Sequence, residues 1–308
     1  MSTFRNPLDL NEAIAEKLAR FKRAFIPYPP HVHFHERLDY LQRLGRRCRG
    51  EPQMGLRVLA PTGSGKSTAA LAYIAFVESQ RPRTETFIPV IKIELERNST
   101  SKKLMTSILN ALGDPYSHHG NELTLKLRVL EYFKRFGVEL LIVDEVQHLN
   151  YRDSPKNDVT DALKVLLDSG VVPIAFLGTP KAKVLFERNL QLNGRLLPPC
   201  DLPPLNSKRA GDRDLFARFV DRLDHVIVDQ EILPNLSNFE SAGLLPALFE
   251  VSDGVVGRVS RLLQVALEAA LRRDAQCLER SDISWAIDHW AVPQSFVKAN
   301  PLIGATHG

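Results

Sequence analysis

The chain has 308 residues, of which 44% are hydrophobic and 25% charged, enough for one large domain and one small one, each with a core. Its formal net charge of +4 permits contact with nucleic acid but does not require it. The three cysteines, Cys48, Cys200 and Cys277, form no CxxC pair, which argues against a disulfide framework and a zinc site.

Neither a signal peptide nor a membrane span is expected. Arg5, Asp9 and Glu12 lie where a signal peptide needs an apolar run, and the most apolar stretch, 165–177, is broken by Asp168 and Pro173. We therefore expect a cytoplasmic protein.

The N-terminal segment predicts an amphipathic helix. Leu10, Ile14, Leu18, Phe21 and Phe25 recur at helical spacing, and prolines follow. The apolar stripe either packs on the chain's own core or docks on another protein. We assign residues 1–35 to this helix and a Pro-rich linker.

From residue 36 to 205 the pattern alternates strands and helices, which is typical of a parallel sheet covered on both faces. The predicted strands are Leu56–Ala60, Phe87–Leu95, Leu140–Val143, Pro173–Leu177 and a short one at Cys200–Leu202. The predicted helices are Glu36–Arg46, Lys66–Ser79, Ser101–Leu112, Leu123–Phe136 and Val159–Asp168.

Beyond Pro203 and Pro204 the strand signals vanish, and residues 206–292 predict a small helical domain. Its predicted helices are Asp212–Leu223, Phe239–Phe249, Gly257–Leu271 and Ser281–His289. Residues 293–308 are expected to form a loose tail.

The most informative motif is Ala-Pro-Thr-Gly-Ser-Gly-Lys-Ser at 60–67, between a predicted strand and a predicted helix. A triphosphate is densely anionic, and the N–H groups of a tight loop and a helix N-terminus are oriented to receive it. In this phosphate-binding loop, Lys66 offers a charge to the phosphates and Ser67 a hydroxyl to Mg²⁺. The nucleotide-binding residues are predicted to be Thr62, Gly63, Ser64, Gly65, Lys66, Ser67 and Thr68.

A second motif places Asp144 and Glu145 at the end of the apolar strand Leu140–Val143. Ligands of parallel sheets bind at the carboxyl ends of the strands. Asp144 is predicted to hold Mg²⁺ together with Ser67, and Glu145 to orient the attacking water. Since a carboxylate beside the γ-phosphate activates water, the pair favours ATP hydrolysis over phosphate transfer to a small molecule.

Gly178 and Thr179 follow the predicted strand that ends at Leu177. A hydroxyl at Thr179 would lie near Asp144 and could hold the lytic water or contact the γ-phosphate. The alternative is an ordinary turn before Pro180.

Together these features resemble the AAA+ ATPases, and more narrowly the transposition-regulator ATPases TniB and TnsC. The resemblance extends from about Tyr28 to Ala269. The segments that carry it are HERLDYLQRL before the phosphate loop, DEVQHL at 144–149, the tripeptide Gly-Thr-Pro at 178–180, NLQLNGRL at 189–196 and GVVGRVSRLL at 254–263. It implies an α/β AAA+ core with a central parallel sheet flanked by helices, followed by a helical lid domain.

The resemblance also implies roles for arginines. Arg195 matches the family's arginine finger, which one subunit supplies to the γ-phosphate of its neighbour, and Arg188 is the fallback. Arg258 matches the second sensor in the lid domain. Asn189 stands where the family usually has Asp. For each arginine the alternative is a solvated surface charge.

An arginine supplied in trans requires an oligomer, and the resemblance implies rings or helical filaments around double-stranded DNA. Its partners would be a transposase and a target-selector protein of the TniA and TniQ kinds. Contacts to DNA would be made with the backbone, without sequence specificity. The local candidates are Thr100, Lys102 and Lys103, although a capped, exposed helix start is a simpler explanation. Arg152 and Lys156 are weaker candidates.

Three alternatives stay open. The same core occurs in AAA+ proteins that act as replication initiators or loaders, and in ATPases associated with secretion. A nucleotide-bound scaffold with little turnover is the third, although it would need neither Glu145 nor Arg195.

Overall fold

The computed structural model describes residues 7–149 and 159–303. Short 3₁₀ turns lie at Val146–His148 and Pro180–Ala182, and a π-helical turn at Ile287–Ala291. The strands are β1 (Gly55–Leu59), β2 (Val90–Glu94), β3 (Leu140–Asp144) and β4 (Ile174–Gly178). The helices are α1 (Pro7–Arg23), α2 (Pro29–Arg47), α3 (Lys66–Gln80), α4 (Ser101–Ala111), α5 (Glu122–Arg135), α6 (Val159–Asp168), α7 (Lys183–Arg188), α8 (Leu190–Asn193), α9 (Ala210–Asp229), α10 (Leu245–Ser252), α11 (Val256–Arg272) and α12 (Arg280–Ala286).

The described residues form two compact units, which we call the sheet unit and the helical unit. They divide between Tyr28 and Pro29 and between Pro203 and Pro204. The sheet unit contains α2 to α8 and all four strands; the helical unit contains α1 and α9 to α12. The loop residues Gly63–Gly65 group with the helical unit.

The sheet unit has a four-stranded parallel sheet in the order β1-β4-β3-β2. Every residue of β3 and β4 is buried, as is expected of parallel strands covered by helices on both faces. Because the strands are parallel, their carboxyl ends share one edge, where β1, β3 and β4 end at Leu59, Asp144 and Gly178. This α/β architecture is the one predicted.

Local corrections concern the edges of the sheet. Residues 200–202 were expected to form a strand, but this segment only donates single backbone bonds to the edge of β1, from Cys200 N to Arg57 O at 2.9 Å and from Leu202 N to Leu59 O at 2.9 Å. The neighbouring prolines 198, 199, 203 and 204 carry no N–H group and cannot extend the ladder. Similarly β2 begins at Val90, after Pro89, and not at Phe87.

In the helical unit, α1 packs on α11. Ile14 and Phe21 are 5% and 4% exposed, and Phe21 belongs to the unit's apolar core. The stripe of the N-terminal helix is therefore covered by the chain's own core. Residues 1–35 were assigned to a helix and a Pro-rich linker; in the structure α1 belongs to the helical unit, and α2 begins at Pro29, within the expected linker, because proline is well suited to the first turn of a helix.

Two further expectations for the helical unit are wrong. The helix expected from Phe239 begins only at Leu245, because the buried carboxylate of Asp224 accepts the N–H groups of Ser237 and Asn238 and holds the chain in a turn. The tail expected to be loose is packed as far as it is described. Within it, Leu302 is 6% exposed and Asn300 donates to the carbonyl of Ser284 at 3.0 Å.

None of the described helices is long and apolar enough to cross a membrane.

Candidate nucleotide site

The phosphate-binding loop connects the end of β1 to the start of α3 at Lys66. Gly63 and Gly65 have φ angles of +83° and +85°, which glycine adopts without steric cost. The first N–H groups of an α-helix point away from its body, and together with the helix dipole they favour an anion at the start of α3. The loop predicted from residues 62–68 thus has the local geometry of a phosphate cradle.

Four predicted residues come together at the carboxyl edge of the sheet. Lys66 Nζ lies 2.7 Å from Glu145 Oε1 and 3.5 Å from Asp144 Oδ1. Ser67 Oγ donates to Asp144 Oδ2 at 2.7 Å. The start of α3 and the end of β3 therefore form one polar cluster, as their motifs predicted.

A fifth member of this cluster, Lys92 on β2, was not predicted. Its Nζ lies 2.9 Å from Asp144 Oδ2, and only 14% of its side chain is exposed. Lys92 pairs in register with Ile142, two residues before Asp144 on β3. The signal in the sequence was a lysine inside the apolar strand Val-Ile-Lys-Ile, but its partner depends on which strands are neighbours.

Asp144 is held as an anion by these contacts. Its burial alone would raise the pKa of the carboxyl. The hydrogen bond from Ser67 and the charges of Lys66 and Lys92 outweigh burial and lower the pKa below its ordinary value. Asp144 can therefore act as an oxygen ligand of a cation at neutral pH.

Glu145 is fixed at both of its carboxylate oxygens. Oε1 contacts Lys66, and Oε2 accepts a hydrogen bond from Gln147 Nε2. The φ of Glu145 is +60°, an uncommon conformation for a residue other than glycine.

Gln147 also joins Glu145 to the end of β4. Its Oε1 accepts the backbone N–H of Thr179 at 2.9 Å. Sequence reasoning missed Gln147, although it lies in the DEVQHL segment. The hydroxyl oxygen of Thr179 is buried and has no hydrogen-bond partner among the described residues. Since a buried hydroxyl rarely goes unpaired, Thr179 Oγ1 is suited to form a hydrogen bond with a ligand or a water molecule.

The donor set fits Mg²⁺ in part. The Ser67 hydroxyl and the Asp144 carboxylate supply hard oxygen atoms, which Mg²⁺ prefers. Among the described residues, no group of three or more His, Cys, Asp or Glu could hold a metal ion. Mg²⁺ would therefore take its other ligands from phosphate oxygens and water, as it commonly does in nucleotide sites.

Arg195, the predicted finger, is bonded within its own subunit. Its Nε donates to Asp168 Oδ1 at 2.5 Å, its Nη2 to Asp168 Oδ2 at 3.0 Å and its Nη1 to the carbonyl of Gln191 at 2.8 Å. The side chain is 29% exposed. The fallback, Arg188, is exposed at the end of α7. Asn189 caps α8 by accepting the N–H of Leu192 at 2.9 Å.

Arg258, the predicted second sensor, lies in the first turn of α11 in the helical unit. It donates to the carbonyl of Ser252 at 3.2 Å, and its guanidinium lies 4.9 Å from the centre of the Phe296 ring.

The residues predicted to contact DNA form an exposed helix start. Thr100 caps α4 by accepting the N–H of Lys103 at 3.3 Å, and Lys102 and Lys103 are exposed. The weaker candidates, Arg152 and Lys156, lie outside the described residues.

Fold and site together define the class of protein. A parallel sheet in the order β1-β4-β3-β2 has a phosphate-binding loop after β1, an Asp-Glu pair at the end of β3 and a helical unit after the sheet unit. This is the AAA+ ATPase fold, which confirms the predicted fold class. The family model described as "Bacterial TniB protein" matches residues 20–205. The chain belongs to the TniB family, as its motifs indicated.

Solved structures of similar fold include the ORC1 protein of Aeropyrum pernix in complex with DNA, with 17% identity, a TM-score of 0.62, and coverage of 86% of this chain and 66% of that one. The Cdc6p of Pyrobaculum aerophilum has 14% identity, a TM-score of 0.58, and coverage of 88% and 70%. The A. pernix ORC2 protein, described as ADPNP-ADP complexes, has 14% identity, a TM-score of 0.56, and coverage of 82% and 67%. No curated protein matches the chain significantly.

Proposed function

We propose that this protein is an ATP-dependent regulator of DNA transposition. In this proposal it binds ATP with Mg²⁺, assembles with copies of itself on double-stranded DNA in the cytoplasm, and links a transposase to a target-selector protein. Hydrolysis of ATP then dissolves the assembly. The observation that carries the ATP-dependent part of the proposal is the cluster in which Lys66 and Ser67 contact Glu145 and Asp144, and membership of the TniB family supports the link to transposition.

Each residue of this cluster has a role in binding or hydrolysis that its geometry supports. The N–H groups at the start of α3 and the ammonium of Lys66 bind the phosphates, so that Lys66 exchanges Glu145 for the triphosphate. Ser67 and Asp144 would hold Mg²⁺, and the bound metal would neutralise phosphate charge. Glu145, released from Lys66 but still held by Gln147, orients the attacking water.

Thr179 is the last residue of the part of the site that a single subunit is proposed to supply. Its unpaired, buried hydroxyl is available to the lytic water or to a γ-phosphate oxygen. Because Gln147 bonds both Thr179 N and Glu145, a ligand at Thr179 can affect the position of the catalytic carboxylate.

Arg195 is proposed to complete the site of the neighbouring subunit. A guanidinium stabilises the charge that builds on the transferred phosphoryl group. In the single chain this guanidinium is held in a fork by Asp168, which keeps it ordered. Arg258 is proposed to report on the γ-phosphate from the helical unit.

The proposal of DNA as a partner rests on the TniB family and on the nature of the similar structures, of which ORC1 is in complex with DNA and the Drosophila ORC is described as bound to DNA. We propose contacts to the phosphate backbone from Lys102, Lys103 and Thr100 at the start of α4. Sequence readout is not required for such contacts.

Electron microscopy of the purified protein with duplex DNA and a non-hydrolysable ATP analogue tests this function. Rings or filaments should form only when both are present. Assemblies that form without nucleotide, or the absence of any assembly, would contradict the proposal.

The similarity to ORC and Cdc6 structures favours a second candidate, an initiator-like or loader-like ATPase. A reconstituted transposition reaction separates the two candidates, because only a transposition regulator should increase the insertion of a transposon end into target DNA.

A further inference from the structure

The charges around Asp144 balance without any metal ion. Two carboxylates, Asp144 and Glu145, lie against two ammonium groups, Lys66 and Lys92, with the closest contacts at 2.7 and 2.9 Å. Glu94, the register partner of Asp144, is exposed to solvent, where its charge is screened. A divalent cation that approaches the nucleotide-free cluster therefore meets no net negative charge.

Lys92 already contacts one oxygen of the carboxylate that is predicted to bind the cation. Its ammonium contacts Asp144 Oδ2, the same oxygen that accepts the hydroxyl of Ser67. Asp144 itself is 1% exposed, so solvent does little to weaken this ion pair. Lys66 is the lysine proposed to turn to the phosphates when they bind, whereas Lys92 extends from the interior of β2 and continues to offset part of the charge of Asp144.

We propose that Lys92 is an internal counter-cation that keeps divalent metal ions out of the nucleotide-free site, so that metal binding depends on the triphosphate. The inference rests on the proposed function for the identity of the metal site. When a triphosphate enters, its negative charge is added to a cluster that is already balanced, and the site becomes attractive to Mg²⁺. In this proposal Lys92 sets the order in which the two ligands bind, with the triphosphate first and the metal ion second.

The test is a titration of Mn²⁺, as a spectroscopic substitute for Mg²⁺, into the nucleotide-free protein, followed by electron paramagnetic resonance. Wild type should bind Mn²⁺ only in the millimolar range or weaker. Lys92→Met keeps the length and the apolar stem but removes the charge, and it should bind Mn²⁺ at least about tenfold more tightly. Lys92→Arg keeps the charge and should behave as wild type.

A second substitution tests whether the gain in Mn²⁺ affinity arises at Asp144. Asp144→Asn added to Lys92→Met should abolish the gain, because the carboxylate that Lys92 covered is no longer there. Equal affinities for wild type and Lys92→Met, or a gain in Lys92→Arg as large as in Lys92→Met, would overturn the proposal. Tight Mn²⁺ binding by nucleotide-free wild type would also overturn it, and that measurement requires no variant.

The same samples separate this inference from the proposed function. Binding of a fluorescent ADP analogue is measured without metal. If the analogue does not bind, the proposal of a nucleotide site is contradicted. The Mn²⁺ titration still reports whether Lys92 weakens the binding of a metal ion at Asp144.

Discussion

The hydroxyl of Ser67 and the carboxylate of Asp144 are joined by a hydrogen bond of 2.7 Å. This bond ties the first turn of α3 to the carboxyl end of β3. The phosphate-binding loop and the acidic pair are thus aligned with each other by a direct hydrogen bond, and such alignment reduces the ordering that ligand binding requires.

Loss of Lys66 should abolish nucleotide binding and assembly together. Lys66→Ala removes the ammonium proposed to bind the phosphates, and it leaves Glu145 without the cation at 2.7 Å. We expect roughly 100-fold weaker binding of a fluorescent ATP analogue and no light scattering from assembly on duplex DNA. Lys134→Ala, which changes an exposed lysine on α5, is the control. Assembly by Lys66→Ala at wild-type protein concentration would break the proposed coupling.

Loss of Gln147 should slow turnover more than it weakens binding. Gln147→Ala frees one oxygen of Glu145 and the N–H of Thr179, so that the carboxylate is no longer fixed beside the water. We expect kcat to fall about tenfold, with KM within about twofold of wild type. Steady-state ATPase kinetics give both values, with Gln80→Ala, at an exposed position of α3, as the control. An unchanged kcat would show that Gln147 does not contribute to turnover.

Alanine substitution at two glycines in helices should change the free energy of unfolding in opposite directions. A Cβ on Gly45 in α2 would lie 2.5 Å from Pro173 Cγ, and this overlap should cost about 1–3 kcal/mol of the free energy of unfolding. A Cβ on Gly211 in α9 would meet nothing within 4 Å, so Gly211→Ala should stabilise by up to about 1 kcal/mol. Urea unfolding followed by circular dichroism measures both. A neutral Gly45→Ala would contradict the close packing of α2 on the strand that Pro173 precedes.

Removal of the charges at the start of α4 should weaken binding to all duplexes alike. For the double variant Lys102→Ala, Lys103→Ala, the slope of log K against log salt should fall by about 0.9 for each phosphate that is no longer neutralised. Fluorescence anisotropy with two unrelated DNA sequences, in the presence of the ATP analogue, provides the measurement. An unchanged slope would show that these lysines do not bind DNA.

The buried strands could be predicted from the sequence, because Leu140–Val143 and Ile174–Leu177 are continuous apolar runs bounded by polar or turn residues. The phosphate loop and the Asp-Glu pair were found through their spacing relative to those strands. The helices α7 and α8 span six and four residues, which is too short for a helical period to be recognised.

What the sequence did not reveal depends on contacts between distant segments. Lys92 reaches Asp144 only because β2 and β3 are neighbours with this register. Gln147 reaches Thr179 because the 3₁₀ turn after β3 lies beside the end of β4. The place of α1 in the helical unit is set by packing on α11, and periodicity in α1 alone could not identify that partner.

The central claim, a nucleotide site completed by a neighbouring subunit, is tested most directly by mixing two inactive variants. Arg195→Ala lacks the finger but keeps Glu145, whereas Glu145→Gln keeps the finger, and each alone should bind ATP without turning it over. In a 1:1 mixture with DNA, random assembly should restore about a quarter of the wild-type ATPase rate, because about one interface in four then combines both intact halves. A mixture that stays as inactive as its components, beside a wild-type protein that hydrolyses ATP at full rate as a monomer, would contradict it.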